Sequence, residues 1–504
     1  MTGLLAFVPI LLAVALLAFR APTWVSAVAG LAGAVLCAVL AFPTPLPVIS
    51  QAAGDYFPLI AEVVLILLFG MMLAGILEAT GAMRTISASV ESMVPSRSLG
   101  VALVVFGLVP FAESVTGFGI GVTIGVPILR HLGCSLRHSA LLGLLGLVAV
   151  PWGALGPGTT VAAALAGFDV DALGLSTAWV NAISVAVVLC SVLVLMRPRL
   201  GSALGMIGAA GLLWGGILLA NRLLGMAPAG IIGSLVVIVG LGVPLAIRAR
   251  FAGVTAALGR AVLPYGVLTL GILVARELLA VFPSPLMESL ASPPFWLAVA
   301  CLVAALSRTR GEKDVQKDDG STGVPSDDES TSVGSGDGLS DEHRGDGASS
   351  PPPLRPVILR AVRAWVPIGA ATAAFMLMGW VMTTSGMSTA FGDLLPTGLL
   401  VLAPWLSTIG AVLTGSNTGS NAMFASTLAV AGEGTAAGPL TAVAAGNAAG
   451  SLAALAAPPR VAMAVQLSGA GAADARDGSW VLSRAFLIVG LNTLAIGLWL
   501  QFLA

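Results

Sequence analysis

Apolar residues occur along this chain in long runs, and charged residues fall mostly between the runs. Most runs are 17 to 24 residues long, the length at which a helix crosses a hydrocarbon core of about 30 Å. The alternating segments of a membrane β-barrel are absent. The pattern predicts an all-α polytopic membrane protein with about 12 transmembrane helices. Ten of these are simple runs, at residues 3–19, 24–42, 57–79, 173–196, 204–220, 230–247, 261–282, 294–306, 364–382 and 480–500.

Two further apolar segments are divided by polar residues into pairs of short limbs. The first, 99–129, has a polar tip that begins at Glu113, and the second, 399–431, has a tip of small and polar residues at 414–421. The limb at 99–111 would span only about 20 Å as a helix, which is too short to cross. Each segment is therefore predicted to be a re-entrant hairpin. Each is followed by an apolar segment that Gly and Pro interrupt, at 139–168 and at 439–459.

Arginine positions orient these segments, because short cytoplasmic loops collect positive charge. Arg97 and Arg130 flank the first hairpin, which should therefore open inward. No basic residue lies between Arg363 and Arg460, so the second hairpin should open outward, and Arg460 is interpreted as a marker of the cytoplasmic side. Two similar segments of opposite orientation predict an inverted-topology repeat, in which the interrupted segments meet at a transporter's binding site.

The predicted organisation has four parts. A first repeat covers residues 1–200, connecting transmembrane helices cover 201–306, and a second repeat covers 356–504. Residues 307–355 hold eleven of the chain's 24 acidic residues and are rich in Ser and Gly. Because such a segment cannot bury enough apolar surface to fold, we predict a disordered cytoplasmic loop. A regulatory role for this loop is left open.

The amino-acid composition agrees with this architecture and excludes several classes of function. Hydrophobic residues make up 57% of the chain and charged residues 9%, with a mean hydropathy of +1.00, whereas soluble proteins carry about 25% charged residues. No basic face suggests a nucleic-acid partner, and the cysteines lack metal-ligand spacing, so no cofactor or metal is expected. We expect a multi-pass protein of the inner or plasma membrane, in contact with lipid. Its oligomeric state stays open, with a homodimer as one option.

The two tips carry the residues expected to bind a small anion. Unwound backbone inside a membrane is tolerated where it lines a cavity, and half-helix N-termini offer free N–H groups to anions. Small residues also allow close helix packing, but eight consecutive small or polar residues that include two Asn favour binding. The candidate substrate-binding residues of the tips and the second interrupted segment are Ser114, Thr116, Gly117, Gly119, Thr414, Gly415, Ser416, Asn417, Thr418, Ser420, Asn421 and Asn447.

Two charged residues in apolar surroundings are further candidates. Glu113 is the proton-coupling candidate, because a carboxyl group at this depth is costly to keep charged and can exchange a proton; a structural hydrogen bond to the tip backbone is the alternative. Arg276 could pair with a substrate carboxylate, or it could reach the membrane surface or pair with a glutamate. No Asp/His/Cys constellation supports a membrane-embedded enzyme.

The chain resembles the L-lactate permease family, which includes glycolate permeases, over nearly its whole length. The resemblance is strongest in the sequence TGSNTGSNAMF at 414–424 and in residues 113–127 with their Gly-Phe-Gly. Further family-like positions are 152–156, Pro264, Tyr265, Arg276, 385–387 and Asn447. The chain departs from the family pattern at Ile120-Gly121, where Ala-Pro is usual, and at 457–459, where Ala-Pro-Pro replaces Ser-Pro-Gln.

This resemblance implies carriers of 2-hydroxymonocarboxylates that are driven by protons and belong to the ion-transporter superfamily of hairpin-containing elevator carriers. The predicted function is therefore uptake of lactate or glycolate by proton symport. A sodium-coupled carrier of another small organic anion is the alternative. Its oxygen ligands would be Asn417, Asn421, Asn447 and tip carbonyl groups.

Overall fold

The computed structural model describes residues 5–93, 96–117, 119–251, 253–318, 353–394, 397–469 and 475–503. Every secondary-structure element among them is helical. By length and composition, eleven of the described helices can cross a membrane, or up to 12 if Pro285–Ala291 and Pro293–Ser307, which meet at 54°, form one bent span. The prediction of an all-α polytopic membrane protein is confirmed.

The helices are numbered in chain order. In the first half they are α1 (Val8–Ala18), α2 (Thr23–Ala41), α3 (Leu46–Ala79), α4 (Ala82–Met93), α5 (Arg97–Thr116), α6 (Ile120–His131), α7 (Leu136–Leu145, continued by a 3₁₀ segment Gly146–Leu155), α8 (Pro157–Ala166), α9 (Val170–Met196), α10 (Leu200–Leu224) and α11 (Met226–Arg248).

In the second half they are α12 (Ala256–Val281), α13 (Pro285–Ala291), α14 (Pro293–Asp318), α15 (Leu354–Thr384), α16 (Met387–Gly392), α17 (Ala403–Thr414, preceded by a 3₁₀ segment Thr397–Leu402), α18 (Asn417–Gly432), α19 (Gly438–Ala453, continued by a 3₁₀ turn Ala454–Ala456), α20 (Pro458–Leu467) and α21 (Ala475–Leu503).

One bundle combines helices from both halves of the chain. Helix α15 packs against α2 and α3, and α14 packs against α3 and α12. Helices α3 and α15 correspond to each other: they have 34 and 31 residues, and each contains one internal proline, Pro58 or Pro367. A glycine with positive φ, Gly81 or Gly386, follows each helix and precedes a short one. The order of elements before the two hairpins is thus the same.

The other group contains the two hairpins and the interrupted helices, and it lies deeper inside the protein. In the apolar stretch of α5, 89% of the residues are buried, and in Gly438–Ala456 the share is 83%. In the apolar stretch of α9, only 33% of the residues are buried. Helices such as α9 and α10 expose large apolar side chains, among them Val194 and Leu223, as expected of surfaces that face lipid. The interior position agrees with interrupted backbone that must be shielded from hydrocarbon.

Several boundaries differ from the sequence prediction. Helix α1 has 11 residues, shorter than the predicted span 3–19, although residues 1–4 lie outside the described part. The limb predicted to end at 111 continues as α5 to Thr116, and with 20 residues it is long enough to cross. Of the two interruptions expected within 439–459, the one at 447–451 is absent, because helix α19 runs unbroken through Asn447, and the one at Pro458-Pro459 is present, at Ala457. The residue before a proline disfavours helical ψ, and Ala457 accordingly has ψ 128° before Pro458.

The predicted disordered loop is only partly described. Residues 307–318 belong to the end of α14, and residues 319–352 lie outside the described residues. The division into four parts and the disorder of the loop stay predictions.

Candidate functional site

Helices α5 and α6 form the first hairpin, an antiparallel pair joined by a tight turn. Gly117 and Gly119 have φ 69° and 81°, values that glycine adopts without steric cost. The two helices then pack closely at Gly121, where a side-chain carbon would stand 2.5 Å from the carbonyl oxygen of Val109. Glycine residues therefore permit both the reversal and the close approach. Phe118 lies outside the described residues.

The outer ends of this hairpin lie together. Arg130 Nη1 donates a hydrogen bond to the Cys134 carbonyl oxygen at 2.6 Å, and the side chain of Arg97 also hydrogen-bonds to Cys134. Both arginines that orient the hairpin in the sequence are thus at one end, and the tip is at the other. The re-entrant placement in a membrane stays a prediction.

Glu113 occupies the inside of the first tip. Its side chain is 2% exposed, and its carboxylate accepts hydrogen bonds from the Gly119 N–H at 2.9 and 3.2 Å and from the Gly121 N–H. Gly119 is the N-cap residue of α6 and Gly121 lies in its first turn, where backbone donors lack partners within the helix. A carboxylate from α5 therefore caps α6, so the hydrogen bond to the tip backbone that the sequence left as an alternative role does exist.

Helices α17 and α18 form the second hairpin with a different kind of turn. Gly415 has φ 66°, and Ser416 caps α18 by accepting a hydrogen bond from the Gly419 N–H at 3.2 Å. Thr414 Oγ1 donates to the Gly410 carbonyl oxygen at 2.7 Å. Further along, Ser420 Oγ donates to the Ser407 carbonyl oxygen at 2.7 Å and joins the two limbs. This turn is held by hydroxyl groups, with no charged side chain.

An amide network connects the second hairpin to the interrupted helices. Asn417 and Asn421 each donate from Nδ2 to Asn447 Oδ1 at 2.8 Å. Asn447 Nδ2 in turn donates to Thr159 Oγ1 at 2.9 Å and to Thr177 Oγ1 at 3.1 Å. Asn447 is fully buried, and every polar atom of its side chain has a partner. It therefore joins α18 to α8 and α9, elements from the two halves of the chain.

A cavity of about 630 Å³ lies where the tips meet the helix breaks. Each hairpin crosses the helix break of the other half of the chain. The second hairpin crosses the break before α8, where Asn421 Nδ2 donates to the Gly158 carbonyl oxygen at 3.0 Å. The first hairpin crosses the break before α20, where Glu113 and Arg460 both line the cavity and their charges interact. Helices α2, α3 and α15 supply an apolar wall that includes Trp24, Leu67 and Phe375. Of the predicted site residues, those that line the cavity are Glu113, Gly117, Thr414, Gly415, Ser416, Asn417 and Thr418.

The other predicted residues lie away from the cavity wall. Ser114 Oγ is buried beside Gly230 on α11, and Thr116 Oγ1 donates to the carbonyl oxygen one turn earlier in its own helix. Arg276 pairs with Asp171 at 2.9 Å, and both side chains are about one third exposed. The remaining predicted residues lie on the side of the tips that is turned away from the cavity, and they stabilise the tips through the hydrogen bonds described above: Gly119, Ser420, Asn421 and Asn447.

Arg460 is the charged cavity residue that is absent from the site predicted from the sequence. The sequence interprets it as a marker of the cytoplasmic side, whereas the structure places it in the first turn of α20, in the cavity wall. Its position in the sequence, directly after a predicted helix break, is the feature from which it could have been predicted. Arg460 is the third residue after the break before Pro458, and Thr159 is the third residue after the corresponding break before Pro157.

This arrangement defines the class of protein. Interrupted helices from the two halves of a chain that meet around one cavity are typical of membrane transporters. The sequence profile of the L-lactate permease family matches residues 2–284 and 360–491, and the chain belongs to this family. The family and the spans together indicate a multi-pass lactate transporter of the cell membrane, which is not an enzyme. A comparison with curated proteins gives no match.

Proposed function

We propose that this protein takes up small 2-hydroxymonocarboxylates, such as lactate or glycolate, by proton symport. The observation that supports the proposal is the convergence of two hairpin tips and two helix breaks on one cavity, with the Glu113 carboxyl group in its wall. A carrier must hold an anion away from water and then release it. Backbone N–H groups at half-helix ends do this without introducing further charge.

The second tip provides neutral donors for the substrate. The first N–H groups of a helix have no partner within it, and Ser416 caps α18 through the Gly419 N–H. The N–H groups of Asn417 and Thr418, which line the cavity, are then left for a ligand. The Ser416 hydroxyl can donate to the substrate hydroxyl group, while the apolar wall around Phe375 accommodates the methyl group of lactate.

Glu113 is the proposed proton site. Its burial disfavours the charged form, whereas its N–H donors and Arg460 favour that form. The charge of this carboxyl group is therefore sensitive to what else enters the cavity. A side chain with this property can carry a proton in one half of a transport cycle and release it in the other.

The movement that exposes the site to either side is proposed to be of the elevator type. The hairpins and interrupted helices would move as one unit against the bundle built around α3 and α15. The closely packed interior of the hairpin group and the matching order of elements in the two halves support this proposal. The re-entrant hairpins and the homodimer belong to the same proposal.

Sodium coupling is the second candidate, and one observation favours it. Asn417 Oδ1 and the hydroxyl groups of Ser407 and Ser451 are buried without a hydrogen-bond partner among the described residues, and hard cations take oxygen ligands. Against this, Asn447 Oδ1 already accepts two hydrogen bonds. Asn421 makes its hydrogen bonds through Nδ2.

Uptake of labelled L-lactate into proteoliposomes separates the two candidates. We expect accumulation when the lumen is more alkaline than the medium, with no sodium present. A sodium gradient at equal pH should drive none. Accumulation that requires sodium and ignores the pH gradient would contradict proton symport, and failure to transport any 2-hydroxymonocarboxylate would contradict the substrate class.

A further inference from the structure

We propose that Arg460 binds the carboxylate of the substrate, and that it does so in competition with Glu113. The inference rests on the proposed function and names the group that recognises the anion. It also gives a physical reason why one proton accompanies each anion.

The start of α20 explains why an arginine is needed there. A half-helix N-terminus usually attracts anions with free N–H groups, but α20 begins with Pro458 and Pro459, and proline has no N–H group. The next N–H, that of Arg460, donates to the Ala457 carbonyl oxygen at 3.0 Å. Backbone donors are therefore scarce at this break, and the attraction for an anion has to come from a side chain.

The Arg460 guanidinium has donor capacity that the protein leaves unused. Its Nη1 atom is buried without a hydrogen-bond partner among the described residues, although the side chain as a whole is half-buried and faces the cavity. A guanidinium group carries five N–H donors in a planar fork that matches a carboxylate. A buried unpaired donor is unfavourable, so a carboxylate that enters the cavity gains a partner already in place.

Among the described residues that line the cavity, Glu113 and Arg460 are the two with charged side chains, and their charges interact. Among the other elements packed against this part of α5, residues 146–155 and 226–237 carry no titratable side chain. The charged residues of helix α6 lie at its C-terminal end, about 15 Å along the helix from the tip. Those of α3 lie more than one helical turn from Leu67, the residue of α3 that lines the cavity. The residues concerned are Arg130 and His131 on α6, and Asp55, Glu62 and Glu78 on α3.

The charges of this pair permit two neutral states of the cavity. When the cavity is empty, the Glu113 carboxylate and the Arg460 guanidinium balance each other. When a substrate carboxylate pairs with Arg460, the cavity is neutral only if Glu113 has taken up a proton. Binding of the anion without a proton leaves the cavity with a net charge of −1, and uptake of a proton without the anion leaves it with a net charge of +1. Because a net charge inside a membrane is unfavourable, only the empty and the doubly loaded carrier should cross.

The test measures proton uptake during binding. Purified full-length protein is titrated with L-lactate by calorimetry in buffers of different ionisation enthalpy, which gives the number of protons bound per lactate. We expect one proton per lactate near neutral pH. The R460Q variant should bind lactate at least 100-fold more weakly. The R460K variant, which keeps the charge and loses the planar fork, should lose about tenfold and still take up a proton. R222Q, at an exposed arginine of α10, is the matched control and should bind as wild type.

A second measurement needs no variant and therefore does not depend on how R460Q folds. In proteoliposomes with the membrane potential clamped by potassium and valinomycin, lactate uptake should be the same at either sign of the potential, because the loaded carrier is neutral. Normal lactate binding by monodisperse R460Q, or uptake driven by the potential, would overturn the inference while leaving lactate transport in place. If wild-type protein neither binds nor transports lactate, the proposed function itself fails.

Discussion

The two crossings between interrupted helices and hairpins share a backbone plan and differ in chemistry. At one crossing, the third residue after the helix break is Thr159, which accepts a hydrogen bond from Asn447 at 2.9 Å. At the other, the third residue is Arg460, whose charge acts on Glu113 across the cavity that both residues line. At the neutral crossing Asn417 and Asn421 both donate to Asn447, although Asn417 Oδ1 accepts no hydrogen bond from the described residues. At the charged crossing it is a guanidinium donor of Arg460 that lacks a partner among the described residues.

This difference suggests a division of roles between the repeats. A network of hydrogen bonds between amide and hydroxyl groups fixes the relative position of the elements it joins. Two opposite charges that line one cavity, one of them with an unused donor, respond instead to what enters the cavity. If the predicted repeat holds, one crossing keeps the geometry while the other changes its charge. The predictions that follow test this division, from the largest expected effect to the smallest.

The largest effect is expected at the charged crossing. Glu113→Gln mimics a permanently protonated carboxyl group, so lactate should still bind and exchange between two loaded sides. Accumulation on a pH gradient should be abolished, because the variant can no longer release a proton and its empty cavity carries an unbalanced arginine. Counterflow and gradient-driven uptake are compared in the same proteoliposomes.

Glu78→Gln, at an exposed glutamate of α3, is the control and should behave as wild type. A Glu113→Gln variant that still concentrates lactate on a proton gradient would exclude Glu113 as the coupling residue. Loss of binding and of exchange together would assign it a purely structural role.

At the neutral crossing we expect a loss of stability rather than of coupling. Asn447→Ala removes four hydrogen bonds and leaves the Asn417 and Asn421 amide groups without their shared acceptor. Because each buried unpaired group costs about 1–3 kcal/mol, we expect a destabilisation of about 2–4 kcal/mol. Thermal unfolding in detergent reports this loss. Asn181→Ala, which removes one buried bond to the Val148 carbonyl oxygen, should cost less.

The fraction of Asn447→Ala protein that folds should keep one proton per lactate. A variant with wild-type stability but an altered proton ratio would reverse the roles assigned to the two crossings.

The sequence predicts some residues of the site and not others, and the reason differs between the two crossings. The second tip is visible because eight small or polar residues interrupt an apolar segment, and the first tip is visible from Glu113 and its glycines. Asn447 was predicted from family-like position, but its role as a junction depends on Thr159 and Thr177, each about 270 or more residues away. Such partners are fixed by packing between repeats and leave no local pattern.

Two arginines show the same limit of sequence-based prediction: one is predicted in the site and lies outside it, and the other lies in the site without being predicted. Arg276 was a candidate for the substrate carboxylate, yet it pairs with Asp171, 105 residues earlier. Arg460 was assigned to a cytoplasmic end because an arginine after an apolar run usually marks a loop. The helices themselves are predictable from hydropathy and the break at Ala457 from the prolines that follow it, whereas the unbroken course of α19 through Asn447 and the continuation of α5 to Thr116 are not visible in the local sequence.

The smallest effect is expected from the cap of the second tip. Ser416→Ala removes the acceptor for the Gly419 N–H, and loss of such a cap costs about 1 kcal/mol. Lactate affinity should fall a few-fold, with coupling unchanged. Ser416→Thr keeps a capping hydroxyl and should restore most of the affinity, as measured by titration. Equal affinities for the Ala variant and wild type would show that the cap does not order the tip for binding.

The central claim is that two hairpins of opposite orientation share one site, and cysteine labelling tests it most directly. In a variant whose four native cysteines are replaced, single cysteines are placed at Ser98 and Arg130 on the first hairpin, and at Leu402 and Glu433 on the second. Accessibility to a membrane-impermeant maleimide is then measured from each side. The account predicts that the first two label only from the cytoplasm and the last two only from outside. Labelling of Ser98 and Arg130 from opposite faces, or of all four positions from one face, would contradict it.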